Sequence, residues 1–373
     1  MTMNEELLYI MALTHLPGLG MIGAHRLMEA AGSATTIFSN AKNLKDIVPD
    51  VSQKVIDAIV NCDVLRLCEA EIRFVEKNGI RCLTLNDEDY PSRLRECDDA
   101  PLLLFYKGTA NLNSLHIINL VGTRHATEYG RDICQRFISE LHEIMPDVLI
   151  VSGLAYGIDI NAHRAALQYG MNTVGVLAHG LDRIYPAVHR RTAAEMLNNG
   201  GLLTEYPSGT NPDRQNFIKR NRIVAGMSDA TIVVESAAKG GALITADIAE
   251  SYNRDCFAFP GRIGDEFSTG CNALIRNNRA TLLQSAEELV KAMNWDYTPT
   301  SSPREGIQRQ LFPDLTPEEE LVTSQLEKNP DGLQINTIVV NTNIPINRMT
   351  GILFEMEMKG IVRALAGGVY KLV

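Results

Sequence analysis

The sequence predicts an α/β protein: an extended Rossmann-like parallel sheet core with a helical N-terminal domain before it and a winged-helix-like domain after it. Three observations carry this. Apolar runs alternate with helical stretches from His116 to Trp295, residues 1–75 keep a helical rhythm, and capped helices followed by a glycine hairpin close the chain. A length of 373 residues suits two or three domains and is ample to bury a core. Hydrophobic residues make up 45% and charged residues 21%, the balance of a globular, soluble chain.

Residues 1–75 read as a helical domain of the helix-hairpin-helix (SAM-like) kind. Leu16-Pro17-Gly18-Leu19-Gly20, followed by Ala24 and Leu27, supplies two glycines for a tight turn between short helices, and the turn's N–H groups can meet a phosphate. A plain interhelical turn fits equally well, since only His25 and Arg26 lie nearby. Residues 76–295 read as an extended Rossmann-like domain. It opens with short strands in GIRCLTLNDEDYP (79–91) and PLLLFYKG (101–108), bounded by proline and glycine. The runs HIINLVG, VLIVSG, TVGVLAHG, GLLTEY, ATIVVES and CFAFPG then predict parallel strands buried on both faces by crossover helices. In the first crossover, Ile133, Phe137, Leu141 and Ile144 share one face.

Residues 296–315, DYTPTSSPREGIQRQLFPDL, are rich in Pro, Ser and Thr and read as a linker. In 316–373, Thr316-Pro317-Glu318-Glu319 has the form of a capping box with proline at the first helical position. Two more helices follow, Pro345 opening the second, and IVRALAGGVYKLV predicts a hairpin turning at Gly367-Gly368.

The net charge of −10 argues against a protein that coats nucleic acid with its whole surface, because a negative body repels phosphate. Any nucleic-acid site has to be a local basic patch. No run of about 18 apolar residues occurs, and Glu5 and Glu6 stand where a secretion signal carries positive charge. A cytoplasmic protein without membrane contact is expected. Cys62, Cys68, Cys82, Cys97, Cys134, Cys256 and Cys271 form no C-x-x-C pair, so neither a zinc site nor a disulfide framework is indicated, and they read as small buried hydrophobes.

In an open parallel sheet the ligand crevice lies outside the carboxyl ends of the strands. There Val121-Gly122-Thr123-Arg124 ends a strand; the glycine lets a phosphate approach the backbone and Arg124 supplies a charged fork. The bland alternative is a glycine that serves only the turn and an arginine exposed to water. The next strand runs into Ser152-Gly153-Leu154-Ala155-Tyr156-Gly157-Ile158-Asp159, with His163 a turn later. A hydrolase reading is disfavoured because a nucleophile elbow needs glycine where Ile150 stands. Asp159 is expected to cap a helix and His163 to pack or hydrogen-bond. His179 to Pro186 is expected to shape the crevice rim.

The run Asp213 to Arg222 sets Arg214, Lys219, Arg220 and Arg222 against one acid, with Phe217 interleaved. That composition suits a DNA strand whose phosphates meet the cations while a base stacks on Phe217. A solvated basic helix start is the alternative. Glu235 ends another strand, and Lys239-Gly240-Gly241 opens the next helix as a general anion site of bare N–H groups. It is neither a G-x-G-x-x-G fingerprint nor a P-loop, so no dinucleotide or ATP cofactor is expected.

Taken in order, VGTR (121–124), SGLAYGIDINAH (152–163), HGLDRIYP (179–186), TEYP (204–207), the F-x-x-R-N-R run from Phe217 to Gly226, VVES with GGALITA (233–246), FPGR (259–262) and GCNALI (270–275) resemble the DNA-processing protein A (DprA/Smf) family. The flanking regions agree. The resemblance implies a non-enzymatic homodimer without cofactor that binds and protects single-stranded DNA during natural transformation and helps load the RecA recombinase. For contacts with DNA it points to Gly122, Thr123 and Arg124, to Phe217, Lys219, Arg220, Asn221 and Arg222, and to Lys239, Gly240 and Gly241. Thr123 stands where the family commonly has serine, and a hydroxyl remains. Lys239-Gly240-Gly241-Ala242 replaces a usual serine-glycine-serine run, which keeps the backbone contact and removes the hydroxyl.

Residues 316–373 hold seven acidic against five basic residues, and the third helix of that segment, INRMTGILFEMEMKG, offers Arg348 and Lys359 beside Glu355 and Glu357. A recognition helix wants cations facing phosphate, so a protein-contact or weakly binding role is expected there. The competing enzymatic reading is a nucleotide phosphoribohydrolase of the lysine-decarboxylase-like Rossmann type, which the turn before GGALITADIAE partly mimics, with Glu250 nine residues after Gly241. A pure protein-binding scaffold leaves the cations at the strand ends unexplained.

Overall fold

Two short strands, β1 (Arg81–Thr84) and β2 (Leu103–Gly108), pair antiparallel and begin a nine-stranded sheet. In this computed structural model, which describes residues 5–295, 315–329, 332–365 and 368–372, the six apolar runs all become strands. They are β3 (Ile117–Val121), β4 (Leu149–Ser152), β5 (Thr173–Val176), β6 (Gly200–Thr204), β7 (Ala230–Val233) and β8 (Asp255–Ala258), joined by a short β9 (Thr281–Leu282). The order is β1-β2-β6-β5-β4-β3-β7-β8-β9, parallel from β6 to β9. Every residue of β3 to β7 is buried, which is why these strands show no polar alternation.

Helices cover both faces. Ile133, Phe137 and Leu141 of helix Glu128–Ile144 pack with Ile118 and Ile150 on one side, and Ile144 is partly buried at the helix end. Ile223 and Val224 of helix Arg214–Gly226 and Ala246 of helix Gly241–Ser251 pack with Val121, Val151 and Val176 on the other. The chain steps outward from β3 to β6, then crosses through helix Arg214–Gly226 to β7 on the opposite flank of β3. The strand order therefore reverses between β3 and β7, the place where an open sheet leaves its crevice.

The chain divides into two compact units, Met1–Tyr297 and Thr298–Val373. In the first, helices Glu5–His15 and Met21–Ala31 meet at a turn with Gly18 at φ 85°. Their core residues Met11, Leu13 and Leu27, with Ile37 of helix Ala34–Ser39, continue into Leu102, Leu103 and Phe105 at β2. The 75/76 junction expected from the sequence falls inside helix Leu65–Lys77, because these helices share a core with the sheet. No helix among the described residues is long and apolar enough to cross a membrane. The cysteines are free thiols, Cys68, Cys97, Cys134 and Cys271 buried and Cys62, Cys82 and Cys256 half-buried.

The second unit packs helices Pro317–Glu327, Ile335–Thr342 and Ile346–Met358 around Val322, Ile338, Leu353 and Met356. The capping box forms: Glu319 N donates to Thr316 Oγ1 at 3.3 Å, and Thr316 N donates to Glu319 Oε2 at 2.9 Å. Pro345 precedes helix Ile346–Met358 as expected. β10 (Leu333–Gln334), β11 (Val362–Leu365) and β12 (Val369–Leu372) form an antiparallel sheet in the order β10-β12-β11. Gly368 of the expected hairpin turn takes φ 70°. Gly367, and residues 296–314 of the expected linker, lie outside the described residues.

Candidate nucleic-acid interface

The loops after β3, β4 and β7 are knitted together by backbone bonds. Thr123 N donates to Glu235 O at 2.8 Å, and Ile158 N donates to Thr123 O at 3.1 Å. A Cβ on Gly122 would overlap Ile158 and press on Glu235 O, so this crossing of loops needs glycine. The Thr123 hydroxyl turns back on its own loop and accepts His125 N–H at 3.1 Å.

Arg124 is exposed, and its guanidinium carbon stands 5.1 Å from the centroid of the Phe217 ring, a cation–π contact. The same ring lies 6.0 Å from that of Tyr185, which is 46% exposed. Two stretches 93 positions apart, both singled out in the sequence, thus meet at the carboxyl end of the sheet. The rim loop that carries Tyr185 is held by His179, whose Nδ1 pairs with Gly180 O at 2.9 Å while its Nε2 accepts Tyr185 N–H at 3.3 Å.

Helix Arg214–Gly226 divides its cations between water and the interior. Arg214 and Lys219 are exposed, Phe217 and Asn221 half-buried, but Arg220 is only 4% exposed. The Arg220 guanidinium lies against Gly153, where a Cβ would clash with it, and its Nη1 donates to Val176 O at 2.6 Å. Burial lowers its pKa; Asp159 opposes that shift, and the like charge of Arg124 adds to it. Arg222 is also turned inward: it pairs with Glu205 and donates to Asp99 O, with only 13% of its side chain exposed. Burial raises the pKa of Glu205 against the pull of Arg222 and Lys219.

Arg220 and Arg222, expected to meet DNA phosphates, are instead turned inward, and both anchor the helix to the end of the sheet. A signal for this was available. Ile223, Val224 and Met227 define the buried face, and Arg220 lies three and four residues before the first two. Arg214 lies three residues before Phe217, on the exposed side, outside the set of contacts that the family resemblance points to.

Asp159 does not cap its helix. Gly157 holds that position, and Asp159 in the first turn accepts N–H from Gly153 at 3.1 Å and Ala155 at 3.4 Å, pinning the preceding loop. Burial raises its pKa, with Arg220 pulling the other way. His163 packs and hydrogen-bonds as expected: its Nδ1 is 2.7 Å from Thr173 Oγ1, whose own proton goes to Ile150 O at 3.0 Å, so the ring nitrogen is the donor. Burial, with Arg220 and His189, pushes its pKa down to about 3 and keeps the imidazole neutral. Ser152 donates its hydroxyl to Leu120 O at 2.6 Å. No nucleophile is activated by this set.

After β7, Glu235 is buried, and its carboxylate accepts Thr127 N–H at 2.9 Å and the Thr127 hydroxyl at the start of helix Glu128–Ile144. Lys239 is exposed, Gly240 occupies the N-cap position of helix Gly241–Ser251, and Gly241 faces open space. Glu250 stands roughly 13 Å along that helix from Gly241, ion-paired with Arg279 at 2.6 Å beside Asp247. The carboxylate that the phosphoribohydrolase reading needs is committed elsewhere.

In the second unit, Arg348 pairs with Glu318 at 3.0 Å and Lys359 with Glu319 at 2.7 Å. Phe354 and Met358 on the same helix are 64% and 75% exposed.

Residues 81–294 match the family described as DNA recombination-mediator protein A, and residues 308–368 match the DprA winged helix domain. The chain is 34% identical over 315 residues to Protein Smf of Escherichia coli, covering 82% of this chain and 80% of that one. Its fold is similar to the X-ray structure of DNA processing protein A from Streptococcus pneumoniae, with TM-score 0.67 and 31% identity over 78% of this chain and 98% of that one. It is also similar to DNA processing protein A from Helicobacter pylori, a structure that describes a single-stranded-DNA binding mode, with TM-score 0.53 and 28% identity over 59% and 97%.

Proposed function

The chain belongs to the DNA recombination-mediator protein A (DprA/Smf) family, and from that premise and the loops after β3 and β7 we propose that it binds single-stranded DNA in a trough at the carboxyl end of its sheet. Proteins of this family are DNA-binding and DNA-processing proteins rather than enzymes. The observation that carries the proposal is the Arg124–Phe217 contact with Lys219 exposed on the same helix. Neither cation forms an ion pair among the described residues, so each is available to a phosphate.

In this reading Arg124, Arg214, Lys219 and Lys239 meet phosphates, and the N–H of Gly241 supplies a further donor, that of Gly240 being taken by Ala237 O at 3.1 Å. Phe217 and Tyr185 offer faces for bases, an interaction of about 1–3 kcal/mol per base that tolerates any sequence. Gly122 and Thr123 place Arg124, Arg220 and Arg222 hold Phe217 and Lys219 in position from behind, and half-buried Asn221 meets the DNA strand. The finer role is protection of incoming strands and loading of the RecA recombinase during natural transformation, by a cytoplasmic homodimer. The winged-helix unit serves protein contacts, supported by the ion pairs that occupy both cations of its third helix. The separation of the larger unit from the winged-helix unit across 296–315 belongs to the same proposal, with limited proteolysis within that stretch as its check.

Titration of short labelled oligonucleotides tests the central step. Affinity is expected to fall with salt at a log–log slope of about −0.7 per phosphate neutralised. Arg124→Glu and Lys219→Glu flatten that slope; unchanged binding in both variants rejects the trough. Stimulation of RecA filament formation on single strands, absent in Arg124→Glu, tests the loading role.

A further inference from the structure

Residues 205–213 lead from β6 into helix Arg214–Gly226, so the path of this loop decides where Phe217 and Lys219 stand. Its own bonds are few: Tyr206 N to Thr204 Oγ1 at 3.1 Å, Thr210 N to Pro207 O at 3.3 Å and Asp213 N to Asn211 O at 3.0 Å. Besides helix Arg214–Gly226 itself, whose Arg222 pairs with Glu205 and whose Asn216 Nδ2 donates to Asn211 O at 3.2 Å, two elements hold it. From the rim, Asp182 Oδ1 accepts Gly209 N–H at 3.0 Å, and Arg183 Nη1 donates to Asn211 Oδ1 at 2.8 Å, both on partly exposed side chains.

The second hold comes from the N-terminal helices. Glu71, on helix Leu65–Lys77, accepts Ser208 N–H at 2.8 Å with one carboxylate oxygen and the Ser208 hydroxyl with the other. Glu71 is only 9% exposed and forms no ion pair among the described residues. Beside it a cleft of about 290 Å³ is lined by Met11, His15, Leu67 and Cys68, with Pro207 and Ser208 on its other wall. A buried carboxylate without a cation stays there because hydrogen bonds replace its water, and the two donors seen come from one loop residue.

We propose that Glu71 is a positioning residue for the DNA trough, fixing through Ser208 the loop that presents Phe217 and Lys219. This gives the N-terminal helices a part in single-stranded-DNA binding, and it rests on the trough proposed above.

The sign of the effect separates positioning from charge. Glu71 is an anion in a protein that receives a polyanion, so loss of its charge alone favours binding. Loss of the clamp does the opposite. Glu71→Ala removes both charge and clamp. Glu71→Gln removes the charge and keeps the clamp, its amide oxygen accepting Ser208 N–H and its amide N–H donating to Ser208 Oγ.

The full chain and its Glu71→Ala, Glu71→Gln, Ser208→Ala and doubly substituted (Glu71→Ala with Ser208→Ala) variants are titrated against an oligothymidylate of about 20 nucleotides across a salt series, thermal unfolding confirming that each is folded. Glu71→Ala is expected to weaken binding about tenfold with a salt slope parallel to wild type, because the loop must be ordered before binding while the bound state still neutralises the same phosphates. Glu71→Gln binds at least as tightly as wild type, Ser208→Ala falls between, and the double variant is no weaker than Glu71→Ala. Wild-type or tighter binding by Glu71→Ala overturns the proposal, as does an equal loss in Glu71→Gln. If Glu71→Ala does not fold, Ser208→Ala decides, and wild-type affinity there overturns it. Failure of the wild-type chain to bind is a different result, which overturns the DNA reading itself.

Discussion

Helix Arg214–Gly226 of the larger unit and helix Ile346–Met358 of the winged-helix unit both carry cations near their solvent faces, and they use them in opposite ways. On the first, Lys219 is exposed without an ion pair among the described residues, and Arg124 comes across to lie over Phe217. On the second and at its end, Arg348 and Lys359 are each tied to a glutamate of helix Pro317–Glu327. The first helix carries four lysines and arginines and the second only Arg348, with Lys359 just past its end, but the count does not say which cations are available. What does is whether a carboxylate already occupies the cation, because a phosphate must displace that partner before it gains anything. In a chain with net charge −10, unpaired cations beside an aromatic ring are the informative feature.

The contrast also runs within helix Arg214–Gly226, and its inward cations provide the largest expected effect. Arg222→Ala strands Glu205, whose Oε1 has no hydrogen-bond partner among the described residues, in a site where only 11% of its side chain is exposed. Breaking such a pair costs roughly 3 kcal/mol, so thermal unfolding should show a drop of several degrees; an unchanged midpoint with lost DNA affinity would make Arg222 a gripping residue after all. Arg124→Glu comes next, with a loss of about a hundredfold in oligonucleotide affinity and no change in unfolding. Phe217→Ala is expected to weaken binding about tenfold through lost stacking, with the salt slope kept, since no phosphate contact is removed.

Beneath the trough, His163 links stability to pH. Its pKa of about 3 lies below the usual imidazole value of about 6.5, so the unfolded chain takes up a proton that the folded chain refuses. Stability from this group is full above about pH 6.5 and falls as pH drops towards 3, by at most about 1.4 kcal/mol per pH unit. His179 and His189, also lowered by burial, act in the same direction, whereas Asp159, raised by burial, acts in the opposite one. Denaturant midpoints at pH 7.5 and 5.5 should therefore converge in His163→Gln relative to wild type. The smallest effect is expected in the tail: Arg348→Glu should change single-stranded-DNA affinity less than about twofold.

The sheet was legible because strands buried on both faces leave uninterrupted apolar runs, and each run from HIINLVG to CFAFPG became a strand. The crevice was legible from the strand ends, and Arg124 and Phe217 did converge there. The inward turn of Arg220 and Arg222 was not read, since a run of four cations looks like a solvated surface until the face set by Ile223 and Val224 is drawn. Their partners also lie far off in sequence: Arg220 reaches Val176 across 44 positions and Arg222 reaches Asp99 across 123. The clamp between Glu71 and Ser208 spans 137 positions and has no local signature at all. An acid beside a helix start usually caps it, so Asp159 reads as a cap in sequence, but Gly157 takes that place and frees the carboxylate to hold the loop before it.

One measurement bears most directly on the difference between free and occupied cations: oligonucleotide affinity across a salt series for wild type, Arg124→Glu and Arg348→Glu side by side. The trough account expects a steep wild-type slope, a flatter one with weaker binding for Arg124→Glu, and a curve superimposable on wild type for Arg348→Glu. A slope that flattens in Arg348→Glu while Arg124→Glu follows wild type would place the strand on the winged-helix unit and contradict the account.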